Sequence, residues 1–146
     1  MLPIEISINE PICDSTLFII DERFLLLRIS ALEEIVSEKL RALLQQPIRN
    51  RNRRQDVLDI AVIVKATSNL DPQQISEFLQ TKAVARGVPV SKSAFYEHEI
   101  ADRARVDYGE LAATARTSFI PFDEALGIVL GLVDELNIPD VFPPSP

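Results

Sequence analysis

The feature that most constrains the fold is an apolar helix predicted to begin near Arg53 or Arg54. The residues that follow are almost all aliphatic, so this helix has nearly no polar face and should be buried on most sides. Asp56 and Asp59 are the exceptions, and their spacing makes them neighbours on one face. Buried carboxylates are costly unless they are paired with cations. The fold must therefore bring positive charge to this helix, and Lys39, Arg53 and Arg54 are the candidate partners.

A second helix is predicted upstream, from Ser30 to Pro47. Ser30 and Glu33 have the spacing of a capping box, and the proline closes the helix. At roughly 100° per residue, one side of this helix is apolar and the other polar. The residues predicted on the polar side are Glu34, Ser37, Arg41 and Gln45.

Lys39 is the anomaly in this helix, because it lies about 20° from Leu32, inside the apolar stripe. Such a lysine extends to the rim, forms an ion pair, or meets a ligand anion. One interpretation is a Lys39–Asp59 ion pair that joins the two helices, with Asp56 at the helix N-terminus. The other is that these charges form the edge of a phosphate site. The pattern alone leaves both open.

The turn between the helices, residues 49–54, contains four arginines in six positions. Guanidinium groups match phosphate oxygens in geometry and charge. A short basic run is equally typical of a solvated turn. No aromatic residue is interleaved with the arginines, so a base-stacking platform is not indicated.

Composition narrows the functional classes. At 146 residues the chain is expected to form one domain. A net charge of −7 argues against general coating of nucleic acid and leaves room only for local contacts. The single cysteine and single histidine, Cys13 and His98, exclude a disulfide scaffold and a cysteine- or histidine-rich metal site. The single cysteine fits a reducing cytoplasm. The start of the chain lacks a signal-peptide pattern, and no apolar run reaches the roughly 20 residues that span a membrane.

The first part of the chain is predicted to be β structure. Residues 2–8 alternate between apolar and polar, and residues 17–20 and 24–29 form two further apolar runs around an acidic turn. Residues 1–30 would then be a partial sheet with exposed edges. We expect a missing N-terminal segment or a partner chain to complete it, and a second copy of this chain could serve as that partner.

The remainder of the chain is predicted to be helical. One helix begins at Asp71-Pro72 and ends at Gly87, and another begins at Ser91 or Ser93 and runs to about Arg105. Further helices are predicted from Asp107 through Thr117 and from Pro121 to Asn137. The predicted fold is therefore α+β and mostly helical. Two or three N-terminal strands precede a five- to six-helix bundle over 31–140, and 141–146 is a loose tail.

Two motifs resemble a known family. Glu38-Lys39-Leu-Arg-Ala42-Leu, followed by Arg53-Arg-Gln-Asp56-Val-Leu-Asp59-Ile, is similar to the third and fourth motifs of the AbiEii/AbiGii nucleotidyltransferase toxins. The order and spacing match, and Glu5 lies on a predicted strand upstream, where the family has a carboxylate. Phe122-Asp-Glu-Ala-Leu resembles the start of the family's C-terminal helix. The resemblance covers the whole chain.

The resemblance implies a polymerase-β-like nucleotidyltransferase that uses Mg²⁺ and an NTP. By the same resemblance, Glu5 would be a catalytic carboxylate that binds the metal. Lys39 and Arg53 would contact the nucleotide phosphates. Asp56 would be the catalytic acid of the fourth motif and Asp59 its neighbour, with Asp59 in a structural ion pair with Lys39.

One departure from the family changes what is expected of this chain. The first motif, a Gly-Ser turn followed by Asp-x-Asp, is absent from residues 1–30, which leaves too few acids for two metals. We expect a toxin of a toxin–antitoxin or phage-defence (abortive infection) pair, with a cognate antitoxin. When complete it would transfer a nucleotide to RNA, with tRNA the favoured acceptor, and this chain alone would be inactive. The alternative is a non-catalytic helical interaction module, or a degenerate homologue, that binds a partner chain.

Overall fold

A computed structural model describes the backbone of residues 22–141 and the side chains from Leu32 onward. This part of the chain is mostly helical and contains no strand. Its α-helices are α1 Glu22–Leu44, α2 Gln46–Arg49, α3 Arg54–Ala66, α4 Pro72–Ala85, α5 Lys92–Phe95, α6 His98–Arg105, α7 Ala112–Ala115 and α8 Phe122–Glu135. Two short 3₁₀ turns, Tyr108–Leu111 and Arg116–Ser118, connect α6 to α8 around α7.

The central helix of the described region is α1, which packs against both α3 and α4, while α3 packs against α8. Leu40 of α1, Ile60 of α3 and Leu79 of α4 are completely buried in the shared core. No described helix is long and apolar enough to cross a lipid bilayer.

The strand predicted over residues 24–29 is wrong, because α1 begins at Glu22 and continues without a break to Leu44. A continuous apolar run fits a buried helix as well as a buried strand, and no turn residue separates this run from the helix after it. Ser30 therefore lies inside the helix and does not cap it. The strands predicted over 2–8 and 17–20 lie outside the described residues, as does 142–146 of the tail.

The polar face predicted for this helix is also largely buried. Ser37 is 0% exposed, Arg41 8% and Gln45 7%. The Ser37 hydroxyl donates to the backbone oxygens of Glu33 and Ile75, the second of which lies on α4. Helix α1 is therefore covered by protein on this side too, and its polar side chains form hydrogen bonds with protein groups instead of water.

The starts of three helices agree with the predictions. Helix α3 begins at Arg54, and α8 begins at Phe122, directly after Pro121. Helix α4 begins at Pro72, where the Asp71 carboxylate accepts a hydrogen bond from the Gln73 amide at 3.0 Å. It ends before Gly87, which has a φ of 67° that favours glycine.

Two of the predicted helices are interrupted. The helix predicted from Ser91 or Ser93 to Arg105 is split into α5 and α6, and Ser91 caps only α5. The helix predicted from Asp107 through Thr117 is replaced by a 3₁₀ turn and the four-residue α7. Asp107 adopts a φ of 56° and its side chain caps nothing, so a regular helix does not start there.

Candidate functional site

A buried charged cluster joins α1 to α3. The Lys39 ammonium lies 3.0 Å from Asp59 Oδ2 and 3.3 Å from Asp56 Oδ1. The three side chains are only 10%, 6% and 11% exposed, in the order Lys39, Asp59 and Asp56. Lys39 thus contacts both aspartates, and the cluster satisfies the pairing that burial of charge requires.

The cluster extends toward the surface through Arg53, whose Nε lies 3.7 Å from Asp56 Oδ2. That distance is longer than a hydrogen bond, and Asp56 Oδ2 has no hydrogen-bond partner in the described part of the chain. Asp59, by contrast, also accepts a hydrogen bond from the side-chain amide of Gln55 at 2.8 Å. One carboxylate oxygen of Asp56 is therefore buried beside a cation without a hydrogen bond from any described residue.

Burial shifts the pKa values of this cluster. Burial raises the pKa of the Asp56 carboxyl above its ordinary value, although Lys39 and Arg53 act in the opposite direction. Burial alone would lower the pKa of the Lys39 ammonium, but the charges of Asp59 and Asp56 outweigh it and raise that pKa. Lys39 is therefore held in its charged form.

The described residues do not fit a metal centre. Among the side chains of residues 32–141, no group of three or more His, Cys, Asp or Glu is placed to hold a metal ion. The ammonium of Lys39 already lies between the two aspartates of the cluster. Glu5, the predicted metal ligand, lies outside the described residues. No catalytic step through Mg²⁺ is therefore assigned to these side chains.

A second charged feature, the arginine pocket, lies at the C-terminal end of α1. It is an open pocket of about 110 Å³ lined by Arg41, Ala42, Gln45, Arg49, Arg51, Arg53 and Arg86. Four of these arginines come from α1, α2 and the turn before α3, and the fifth from the end of α4. None of the described carboxylates lines the pocket.

The floor of the pocket is fixed by Arg41. Its Nε donates to Glu38 Oε1 at 3.0 Å, and its guanidinium also donates to the side-chain oxygen of Gln45. Lys82 of α4 binds the same glutamate at 3.3 Å. Burial opposes ionisation of Glu38, but Arg41 and Lys82 more than offset it and lower the pKa of this carboxyl.

The turn that carries the exposed arginines is held by Gln46, which sequence reasoning missed. Gln46 is completely buried. Its amide nitrogen donates to the backbone oxygens of Leu43 and Ile100, at 3.2 and 3.0 Å. Its side-chain oxygen accepts from the backbone amide of Arg53 at 2.7 Å. A glutamine before a proline carries no sequence signal for such a role.

The sequence matches the family described as "Nucleotidyl transferase AbiEii toxin, Type IV TA system" over residues 2–127. The chain belongs to the AbiEii family. The predicted resemblance is therefore confirmed, and the family is one of nucleotidyltransferases in toxin–antitoxin systems. Searches of curated proteins and of solved structures found no match.

Proposed function

We propose that this chain is the nucleotide-binding part of a toxin nucleotidyltransferase that transfers a nucleotide from an NTP to RNA, with tRNA the favoured acceptor. The observation that supports this most is the position of Arg53. Its guanidinium lies beside Asp56 and also lines the arginine pocket. Phosphoryl transfer is catalysed mainly by positioning and by electrostatic stabilisation. Arg53 lies between a carboxylate and a pocket of the size of an anion, so it can both position a phosphate and stabilise its charge.

The residue roles in this proposal follow the family motifs. Arg53 and Lys39 provide positive charge to the phosphates of the nucleotide, and Asp59 holds Lys39 in place. Asp56 accepts the proton of the attacking RNA hydroxyl as pyrophosphate leaves, and a raised pKa suits that task. Glu5 would supply a metal-binding carboxylate, and Mg²⁺ would bind only when the remaining acids are present.

The proposal includes inactivity of this chain alone. The sequence lacks the Asp-x-Asp motif, and the described acids do not form a metal centre. A missing N-terminal segment or a partner chain would supply the remaining acids. A cognate antitoxin and a cytoplasmic location follow from the same proposal.

Binding of each of the four NTPs in the presence of Mg²⁺, measured by calorimetry, tests the nucleotide site. The Arg53 side chain is 47% exposed, so Arg53→Ala should not unfold the protein. We expect that variant to weaken NTP binding by about tenfold, the cost of one charge-assisted hydrogen bond. Lys65→Ala is the control, because Lys65 lies at the other end of α3.

Two results would contradict this proposal. Equal NTP affinity of the Arg53→Ala variant and the wild type would remove Arg53 from the site. Transfer of labelled nucleotide to RNA by the chain alone would overturn the proposed inactivity.

The second candidate is a non-catalytic interaction module, or a degenerate homologue, that binds a partner chain. The observation that favours it is the double pairing of Lys39, which leaves little of its charge for a phosphate. This candidate predicts no NTP binding, together with co-purification of the 16.3 kDa chain with a second polypeptide from its native cells. NTP binding decides between the two candidates, because both expect a second polypeptide in the complex.

A further inference from the structure

The arginine pocket carries positive charge that the described protein does not neutralise. Arg49, Arg51 and Arg86 form no ion pair with any described carboxylate, whereas the other two arginines of the pocket, Arg41 and Arg53, lie beside Glu38 and Asp56. Arg54, Arg103 and Arg105 each contact an Asp or Glu. Clustered like charges repel unless an anion lies between them. The pocket is thus a local exception in a chain whose net charge is −7.

The pocket is built on groups that are held in place. Arg41 and Gln45 on its floor are more than nine-tenths buried, and the Arg41 guanidinium donates a hydrogen bond to the Gln45 side chain. The turn above them is anchored by the three hydrogen bonds of Gln46 and by Asn50, whose side-chain oxygen accepts a hydrogen bond from Arg103 at 3.0 Å. A site whose backbone and floor are fixed before binding loses less conformational entropy when a ligand arrives.

The size and lining of the pocket favour a phosphate group over a nucleoside. Its volume of about 110 Å³ is well below the roughly 300–1,000 Å³ of pockets that enclose drug-sized molecules. No aromatic side chain lines it, so there is no surface for stacking a base. Guanidinium groups bind phosphate oxygens through paired, charge-assisted hydrogen bonds.

We propose that the arginine pocket is a phosphate-binding site in which Arg49, Arg51 and Arg86 surround one phosphate group above Arg41. The phosphate comes from a polynucleotide backbone or is free in solution. Arg49, Arg51 and Arg86 are not among the residues of the proposed nucleotide site, although Arg53 of that site also lines the pocket. The phosphate-binding site does not depend on nucleotidyl transfer, since it would serve a catalytic protein or a binding module equally.

Two titrations test the proposal with the same set of variants. Binding of a fluorescently labelled single-stranded RNA 12-mer is followed by anisotropy at several salt concentrations, and binding of pyrophosphate is followed by calorimetry. The test variant is Arg51→Gln with Arg86→Gln, both exposed positions. Lys65→Gln removes a positive charge at an exposed position on α3 and is the matched control.

If the phosphate belongs to a polynucleotide, the double variant should bind the RNA at least about tenfold more weakly than the wild type. The slope of log affinity against log salt should also become shallower, by about 0.7 for each RNA phosphate that the variant no longer binds. If the phosphate is free, the double variant should lose pyrophosphate binding while RNA binding is absent throughout. The Lys65→Gln control should match the wild type in both arms.

The proposal is overturned if the wild type binds neither probe, or if the double variant binds both as tightly as the wild type. NTP binding by the same double variant separates this proposal from the nucleotide site. Retained NTP affinity together with weaker RNA or pyrophosphate binding supports the separate site. A fall in NTP affinity equal to that of Arg53→Ala would merge the two sites and overturn the separation.

Discussion

Two charged regions lie along the C-terminal half of α1, and they differ in how their charges are balanced. In the Lys39–Asp56–Asp59 cluster the charges are buried and each has an opposite partner. In the arginine pocket the charges are mostly exposed, of one sign, and partly unpaired. Burial forces a chain to pair its charges, while exposure to water lets it keep a surplus. The first arrangement holds helices together and the second is suited to a ligand.

Removal of the shared cation should have the largest effect. Lys39→Ala leaves two buried carboxylates side by side, and we expect the free energy of unfolding to fall by about 3–5 kcal/mol. Urea denaturation followed by circular dichroism measures this. Lys65→Ala, at an exposed position, should change the same quantity by less than about 0.5 kcal/mol. Equal midpoints for the two variants would show that the cluster is not a structural ion pair.

Gln46→Ala should have the next largest effect. It removes three buried hydrogen bonds without removing charge, so we expect a loss of about 2 kcal/mol in the free energy of unfolding. Pyrophosphate and RNA binding should weaken too, because the arginine turn loses its anchor. Gln46→Glu keeps the acceptor for the Arg53 amide and should retain more binding than Gln46→Ala. Unchanged binding in both variants would show that the turn needs no such anchor.

The buried Glu33 gives a pH-dependent test. Burial raises the pKa of its carboxyl above its ordinary value of 4.5, although the carboxylate accepts from the Asp71 amide at 2.6 Å. A raised carboxyl pKa in the folded state means that the folded protein binds the proton more readily than the unfolded chain. Stability should therefore rise as the pH falls from 7 through the folded-state pKa of Glu33, and Asp56 contributes in the same direction.

Glu38 works in the opposite direction at lower pH. The pKa of Glu38 is lowered, so its contribution to the free energy of unfolding is present above pH 4.5 and is lost as the pH falls through its folded-state pKa.

Glu33→Gln should flatten the rise in stability between pH 7 and 4.5. It should also add on the order of 1 kcal/mol to the free energy of unfolding at pH 7, because a neutral amide is cheaper to bury. Urea midpoints measured at several pH values test this. A variant with the pH profile of the wild type would exclude Glu33 as the source.

Removal of arginines from the pocket should have the smallest effect on stability. Arg51→Gln with Arg86→Gln should change the free energy of unfolding by less than about 0.5 kcal/mol, since both positions are exposed and form no described ion pair. Urea denaturation under the same conditions tests this. A loss as large as that of Lys39→Ala would show that the two charged regions do not differ in the way described.

Local sequence signals predicted the starts of several helices well. Pro72 and Pro121 mark the beginnings of α4 and α8, and both work through backbone geometry that does not depend on the rest of the fold. The aliphatic run after Asp56 predicted a buried helix, and the cost of burying charge predicted partners for its aspartates. The helix predictions hold because each rests on neighbours in the sequence, and the pairing of the aspartates holds because buried charge requires a partner from whichever segment supplies it.

The remaining features depend on contacts between distant segments. The apolar run at residues 24–29 has no local signal that distinguishes a helix from a strand, and in the structure it is part of α1. Arg86 joins the arginine pocket from the end of α4, and Gln46 reaches the backbone of Ile100 on α6. Neither contact leaves a trace in the spacing of the residues. The candidate site was thus predictable in its aspartates and its lysine, and not in the shape of the pocket beside them.

The unbroken length of α1 has a mechanical consequence. With 23 residues it is about 35 Å long, and it carries Lys39 and Arg41 two positions apart, on nearly opposite sides of one rod. Because α1 has no break, a rotation about its axis near Glu22 would be transmitted to both side chains at once. It would displace Lys39 and Arg41 in opposite directions, because they lie on opposite sides of the helix axis, so a change in the contact of α1 with α3 would be accompanied by a change at the pocket.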